Sequence, residues 1–580
     1  MKADQFRQQL RQQIESASDR ALLRIVVSRE ESSVLELTGP ELLSRSLELA
    51  DRYCDAPPSS VVLLLLPHSV ELFLLHLGLV LRGRLPAILA WPTSRVDPEK
   101  YQRNVLHQLQ NLPASQLITL PRLARSLDPG LAYRATECPI ANHEKLEESF
   151  RVDLGIVQAE LRIPSRGADH TPEDALFLQF SGGTTGAQKC VVVTAPMLVN
   201  QLRRLSAALQ FTSSDGVASW LPMYHDMGLI ACFWLPLWNS APSTQFAATD
   251  WLLDPGMLFR LIGEYRATFC WLPNFAFSYL ATHKARMGKA SNLSHVRAWI
   301  NCSEPVRERS FKKFAKTFAE FGVRSEQCQA SYAMAENVFA VTQSPLDFVP
   351  RVIPRDRVEG LTTVDPDRTA YDLLDDHYVS SGRILDGMQV RIRGFDGALC
   401  GDRIAGGIEI CGESLFRGYW GNGGFSTQSL TDDGWYSTGD YGFTDAGDLY
   451  VIGRIKDIII VAGQNIFPED VETLVNSIEG VYPGRVVAFG VEDAAHGSES
   501  LAVVAEMRGE FDVRRARGIE RRINRLISSA LGVAPRHVRV VSDRWIIKST
   551  AGKISRRETR QRFLQEELHP RNEHFKSAGR

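Results

Sequence analysis

The sequence predicts an α/β protein: a large N-terminal body of several sheets with a β-rich subdomain, followed by a small α+β unit. Three observations carry that expectation. Short apolar runs bounded by Gly, Pro or Asp alternate with helical stretches through the first half of the chain. From about residue 379 to 452 the pattern changes to short strands with close Gly/Asp turns, and beyond Gly453 an α/β pattern restarts. A length of 580 residues exceeds that of an ordinary single domain.

Taken in order, Val61 to Leu66 is a β-branched and Leu run, Val70 to Leu81 is helical, and Pro86 to Ala90 is apolar again. That is a βαβ unit, which implies a parallel sheet covered on both faces. Further strands are expected at Ala175 to Phe180, Val191 to Thr194, Val217 to Leu221, Thr268 to Leu272 and Ala298 to Asn301, with helices at Met257 to Tyr265 and Ser310 to Phe321. The β-rich stretch contributes Gly387 to Arg393, Gly407 to Ile410 and Asp448 to Ile452. After it come a strand, Ile458 to Val461, and a helix with Pro468 at its first position and Glu469 and Asp470 in its first turn. Val471, Leu474, Val475 and Ile478 share one face of that helix, and Gly480 is its expected end. The expected domains are residues 1–455 and 456–580.

Composition narrows the function classes. Lys and Arg total 66 against 68 Asp and Glu, a net charge of −2, which excludes the overall positive field of a general nucleic-acid binder. No apolar stretch is long enough to span a membrane, and the N-terminus lacks the apolar core of a secretory signal. Nine cysteines without a C-x-x-C pair suggest neither a disulfide framework nor a zinc site, and a reducing cytoplasm suits them. Cys190, Cys270 and Cys302 lie on apolar runs and read as core.

The strand Ala175 to Phe180 runs into Ser181-Gly182-Gly183-Thr184-Thr185-Gly186-Ala187-Gln188-Lys189 and then into a second strand. The glycines let backbone N–H groups point inward, the threonines add hydroxyl donors and Lys189 adds a mobile cation, so the loop can cradle a polyphosphate. It is not a Walker loop, because a strand follows where a helix should begin. Taken alone, the segment also reads as an ordinary Gly/Ser/Thr turn.

Six further segments follow in order: Trp220 to Leu229 (WLPMYHDMGL), Asn301 to Arg307 (NCSEPVR), Ser331 to Asn337 (SYAMAEN), Tyr436 to Asp440 (YSTGD), Gly453 to Asp457 (GRIKD) and Gly552 to Ile554 (GKI). With these the chain resembles the acyl-adenylate-forming superfamily, from about residue 35 to 565. The resemblance implies that a carboxylate attacks the α-phosphorus of ATP to give an acyl-adenylate and pyrophosphate. Two anions must meet, so cations and fixed geometry are needed. The resemblance makes Lys553 the cation bridging substrate carboxylate and α-phosphate. It assigns Glu336 to Mg²⁺, and places Ser303, Glu304 and the flat face of Tyr332 against the nucleotide. Asp440 would accept hydrogen bonds from the ribose hydroxyls, with Arg454 nearby, and Lys456 and Asp457 occupy the hinge between domains. His225 and Asp226 invite a proton-relay reading, but an already ionised carboxylate needs no general base, so a wall or gate role is preferred.

Within the superfamily the chain is most similar to fatty acyl-AMP ligases, on Tyr224 to Gly228, Pro273-Asn274-Phe275-Ala276-Phe277, Glu304 to Arg307, Val379 to Arg383 and a polar segment between Thr342 and Val379. That branch hands acyl groups to carrier proteins. The chain departs from it at Trp271 and Leu272 before Pro273, and at Ala333 after Tyr332; with Asn274 and Phe275 these positions bound the expected acyl pocket. Ile547 and Ser549 stand where the family usually has Pro and Thr. No carrier domain is evident, so an acyl carrier protein acting in trans is the expected acceptor. Residues 457–580 hold 20 Lys and Arg against 17 Asp and Glu, and six arginines (514, 515, 517, 521, 522 and 525) concentrate on one helix. They suit an acidic partner or simply a solvated face, with Val513, Ala516, Ile519, Ile523 and Leu526 turned inward. An acid:CoA ligase and a catalytically silent nucleotide- or acyl-binding regulator are the competing readings of the whole chain.

Overall fold

The computed structural model describes residues 1–28, 33–91, 101, 105, 108, 112, 114–120, 134–137, 174–181, 189–286, 292–361, 374, 376–421, 424–426, 428–461, 464–493, 498–548 and 554–568. The first βαβ unit forms as its pattern dictates. Val61–Leu65 is buried along its whole length and pairs in parallel with Leu85–Ile88 on one side and Ala114–Thr119 on the other. The helix between, Val70–Leu81, is apolar on nearly every side and so lies wholly inside. The Ser69 hydroxyl caps it by accepting the Leu72 N–H at 3.4 Å. Gly78 lets it approach the helix Gly39–Tyr53, because a Cβ there would stand 2.0 Å from the Ser46 carbonyl oxygen.

Eight strands make this sheet, with Ala175–Phe180 beside Leu85–Ile88 and Cys190–Thr194 returning antiparallel. A second sheet of thirteen strands is parallel at its centre, through Val217–Ser219, Phe269–Leu272, Ala298–Cys302 and Cys328–Ala333. The β-rich stretch does not form a sheet of its own. Its strands Asp448–Arg454, Tyr436–Asp445, Gly406–Gly412 and Met388–Arg393 extend that sheet antiparallel, joined through Ala340–Gln343 and Arg383–Ile384. This brings hairpin turns, which carry polar residues, to the ends of buried parallel strands.

From Ile459 onward a separate core forms. The strands Val481–Asp493, Ser498–Met507 and His537–Val541 make a three-stranded sheet. Alternate residues face opposite layers. Val486, Ala488, Leu501 and Val503 pack under the helices Pro468–Asn476 and Val513–Leu531, while Val487, Phe489 and Val504 pack with Phe563 of Arg556–Leu568. The first of these helices stops at Asn476, short of the expected Gly480, whose left-handed φ of +94° serves the turn into the next strand. On the second, the inward stripe begins at Ala516 and runs on through Ile527 and Ala530; Val513, expected inside, is 43% exposed and Leu526 only partly buried.

The two cores meet at an ion cluster. Asp470 is buried, and its carboxylate accepts from Arg355 at 2.7 and 3.0 Å and from Arg307 at 3.4 Å. The Arg355 guanidinium also lies 4.9 Å above the Tyr378 ring. Burial alone would raise the Asp470 carboxyl, but Arg355 and then Arg307 outweigh it and hold the group at about 2. Deep in the N-terminal core, His76 accepts from Trp234 Nε1 at 3.3 Å and is surrounded by the rings of Phe177, Phe233 and Trp234. Burial lowers it to about 3, and lowers His68, whose ring nitrogens have no hydrogen-bond partner among the described residues, to about 4.

Two measurements test these features. Both histidines bind protons in the unfolded chain near pH 6.5 and not in the folded one until pH 4 or below, so stability falls as pH drops from 6.5. The slope is about 1.4 kcal/mol per pH unit for each. Between pH 6 and 4.5, His76→Gln is expected to reduce proton uptake on unfolding by about one, and an unchanged uptake contradicts the burial. Asp470→Asn leaves two guanidiniums facing each other and is expected to cost on the order of 3 kcal/mol in urea unfolding. Trypsin cleavage near Arg454 and Lys456 should accelerate with it. The wild-type contribution of Asp470 is full above pH 3.8 and is lost as pH falls through 2, since its folded value is depressed.

Candidate active site

The site forms where the parallel strands of the thirteen-stranded sheet end and its antiparallel hairpins begin. Tyr332 leaves the end of Cys328–Ala333, and Asp440 and Arg454 are register partners on neighbouring antiparallel strands. The Tyr332 hydroxyl donates to Asp440 Oδ2 at 2.6 Å, and Arg454 Nε lies 3.2 Å from Asp440 Oδ1. Asp440 is buried, so each oxygen of its carboxylate has a donor or a cation beside it. The carboxylate raises the Arg454 guanidinium, and burial together with that same charge pushes the Tyr332 hydroxyl well up. Gly439, at φ +74°, takes a backbone conformation that a side chain would resist, within Tyr436–Asp445 where the pairing with Gly406–Gly412 shifts register, and Thr438 Oγ1 accepts the Asp440 N–H at 3.0 Å.

A second carboxylate lies beside the first. Glu336 sits in the turn Ala335–Asn337, buried, and accepts from the Tyr419 hydroxyl, which lies 2.9 Å from that of Tyr436. Burial raises the Glu336 carboxyl and the Tyr419 bond opposes it; the charges of Asp226 and Arg454 also reach it. Lys189 Nζ stands 4.3 Å above the Tyr419 ring, so cation, ring and carboxylate follow one another. Val338, just past Glu336, has φ +64°, which a β-branched residue rarely tolerates, and Ser303 has φ +75°. Strain thus collects at two turns that bound the cluster.

A third group flanks it. The Glu304 carboxylate accepts the Phe275 N–H at 2.9 Å at the start of the helix Asn274–Thr282, and Asn274 Oδ1 accepts from Asn301 Nδ2 at 2.9 Å. Glu304 therefore caps a helix as well as bordering the cluster. Asp226 accepts the Met227 N–H at 2.8 Å at the head of the helical segment Met227–Trp234, with His225 Nδ1 3.9 Å from its carboxylate. Gly228 is obligatory there, since a Cβ would lie 2.2 Å from the Pro222 carbonyl oxygen. Trp271 is wholly buried and stacks with Phe269 on one face of its strand, while Ala333 is half-buried and Phe275 is 48% exposed.

Lys456 lies within electrostatic reach of both Arg454 and Lys189, and burial followed by the Arg454 charge lowers its ammonium. Asp457 pairs with Arg556 at 2.9 Å, and Arg556 also holds Glu472 at 2.8 Å and the Ala488 carbonyl. The expected hinge is thus tied directly to the helix Arg556–Leu568. Gly182, Thr184, Thr185, Gly186 and Lys553 lie outside the described residues, as does residue segment 362–373 of the polar stretch before Val379. Tyr419 and the Tyr436 hydroxyl were missed by sequence reasoning. Tyr419 sits in Arg417-Gly418-Tyr419-Trp420, where only a glycine with φ +126° hints at a special turn. Arg307, Arg355, Asp470 and Arg556 were missed too, because each matters only through partners far away in sequence. The cysteines read as core are buried, and burial pushes the Cys190 and Cys270 thiols up.

Known proteins are similar to this chain in sequence and in fold. The long-chain-fatty-acid–AMP ligase FadD32 of Mycobacterium marinum is 28% identical over 553 residues, covering 87% of this chain and 85% of that one. The 4-hydroxyphenylalkanoate adenylyltransferase of the same organism is 29% identical over 429 residues, covering 69% of this chain and 67% of that one. Among solved structures, a fatty acyl-adenylate ligase from a study of the E. coli and L. pneumophila enzymes superposes with a TM-score of 0.78 at 22% identity, covering 97% of this chain and 98% of that one. The McyG A-PCP structure with phenylalanyl-adenylate gives 0.79 at 19%, covering 97% and 84%. The mixed α/β architecture is therefore that of adenylate-forming ligases. Residues 13–420 match the AMP-binding enzyme family, and with well over half of its length inside that match this chain belongs to the family.

Proposed function

We propose that this ligase activates a carboxylic acid with ATP as an acyl-adenylate and then passes the acyl group to the phosphopantetheine thiol of an acyl carrier protein. In the first step a carboxylate oxygen bonds to the α-phosphorus and pyrophosphate leaves. In the second the thiol sulfur bonds to the acyl carbon, AMP leaves with the carboxyl oxygen, and the thiol proton passes to solvent. The single observation that carries the reading is the polar cluster at the strand ends, where the buried carboxylates Glu336 and Asp440 stand with Tyr419, the exposed Lys189 and the part-exposed Arg454, a place where a nucleotide can be held.

In this reading Ser181 and Lys189 border the triphosphate with Gly182, Thr184, Thr185 and Gly186. Ser303, Glu304 and Tyr332 line the nucleotide pocket, and Asp440 with Arg454 holds the ribose. For that, the Tyr332 hydroxyl must share Asp440 with the ribose hydroxyls; a carboxylate has the lone pairs to do so. Glu336 suits Mg²⁺. It is a buried carboxylate raised by desolvation, which the Tyr419 hydroxyl, a backbone N–H and the charge of Arg454 oppose, and a divalent cation there would favour its ionised form. Bound there, Mg²⁺ would neutralise charge on the phosphates. His225, Asp226, Trp271, Asn274, Phe275 and Ala333 bound the acyl slot. Residues 1–455 and 456–580 are read as two domains hinged at Lys456 and Asp457, a division supported by the separate core from Ile459 onward. Lys553, three residues before Arg556, supplies the cation between the two reacting anions.

The name FadD32 carries, an AMP ligase, supports the fatty acyl branch, and the A-PCP structure supports a carrier as acceptor. Lys553→Ala is expected to reduce pyrophosphate release at least about a hundredfold while ATP binding changes little. Undiminished release rejects its role. Wild-type enzyme given holo acyl carrier protein and CoA separately, across acids of graded length with aryl acids included, should form the carrier thioester faster. Faster formation of the CoA thioester makes it an acid:CoA ligase, and no adenylate with any acid leaves a regulator.

A further inference from the structure

The helix Val513–Leu531 carries six arginines and one carboxylate, Glu520. Its inner face is settled by Ala516, Ile519, Ile523 and Ile527 in the core. Arg514, Arg515, Arg517, Arg521, Arg522 and Arg525 are all exposed. At 3.6 residues per turn, 514, 517, 521 and 525 fall in one row about 16 Å long, with 515 and 522 beside it. Glu520 does not neutralise the row, because it turns inward to accept the Val540 N–H at 3.0 Å. Arg522 donates to the Glu479 carbonyl at 2.8 Å, and none of the six pairs with a carboxylate among the described residues.

This arrangement works against the helix that bears it. Arg517 and Arg521, and Arg521 and Arg525, are like charges four residues apart, a spacing that destabilises a helix. Arg514, Arg515 and Arg517 also crowd its N-terminal end, where the helix dipole disfavours cations, and its last turn carries no basic residue. Apart from the bond of Arg522 to Glu479 and the Asp512 cap, the charges of the row are left uncompensated by the helix, which suits an external counter-charge. The rest of the chain does not share the charge: residues 457–580 are net +3 within a protein of net −2. A long polyanion running beyond this one helix would therefore meet net negative surface. Phe511 and Val513, at the same end of the helix, are 44% and 43% exposed, and apolar side chains bordering a charged row suit a folded protein partner.

We infer that the outer face of Val513–Leu531 is the docking surface for the acidic carrier protein that accepts the acyl group, and this rests on the carrier reading above. The arginine row steers and orients the carrier, while Phe511 and Val513 make the apolar contact. Rim charges of this kind act on encounter more than on chemistry.

The test uses full-length enzyme, wild type and the triple variant Arg517→Glu/Arg521→Glu/Arg525→Glu, with the milder Arg517→Gln/Arg521→Gln/Arg525→Gln as a second variant. The probes are a panel of phosphopantetheinylated acyl carrier proteins of net negative charge, and free pantetheine as an uncharged acceptor. In both variants, pyrophosphate release and transfer to pantetheine should equal wild type. The KM for carrier should rise about tenfold or more with charge reversal and less with Gln, and the wild-type KM should rise steeply with salt. An unchanged KM in a charge-reversal variant that still adenylates overturns the surface and leaves the carrier reading intact. Wild-type enzyme that loads CoA but no member of the panel overturns both. Variant-sensitive binding to duplex DNA or to anionic vesicles that is tighter than binding to any carrier assigns the row to that polyanion instead.

Discussion

A buried carboxylate held between a phenol and a guanidinium, Asp440 between Tyr332 and Arg454, is the contact on which the geometry of this protein turns. It joins the end of a parallel strand to two antiparallel ones and so fixes how the central sheet meets its hairpin extension. Two residues beyond Arg454 the chain enters Lys456 and Asp457, so the same contact anchors the start of the C-terminal portion. A buried charge without such partners would be costly, which is why Tyr332 and Arg454 come as a set with Asp440. Glu336 lies alongside, its carboxyl raised by burial against the opposing hydrogen bond from Tyr419.

The C-terminal portion meets the body through charge and through apolar contact: Asp470 takes Arg307 and Arg355, and Phe467 packs with Tyr378 and Tyr441. Within the portion itself, Arg556 takes Asp457, Glu472 and the more distant Glu469. Ion pairs between packed units exchange partners more readily than interdigitated side chains do, because the groups can be rehydrated as they part. The charged contact suits the hinge motion proposed at Lys456 and Asp457.

Much of the site was legible in the order of short motifs, because each packs donors, a cation or a carboxylate into a turn between strands, where local spacing and chemistry are the same thing. Tyr419 was not legible in that way: nothing near it in sequence states that its ring will lie under Lys189 or that its hydroxyl will meet Glu336. Glu304 was read for its motif, yet its carboxylate also caps the helix at Asn274, a duty visible only once two strand ends stand side by side.

Periodicity and turn residues by themselves determined the α/β character, the helix Val70–Leu81, the β-rich stretch and the inward stripe of Val513–Leu531 from Ala516, since each depends on neighbours within a few residues. Only the tertiary structure decided that the β-rich strands join the central sheet, that Asp470 meets Arg307 and Arg355, and that six arginines on one helix find no carboxylate among the described residues. The reason is physical: burial and charge pairing are set by groups that come from distant parts of the chain, and their free energies exist only after those parts have packed.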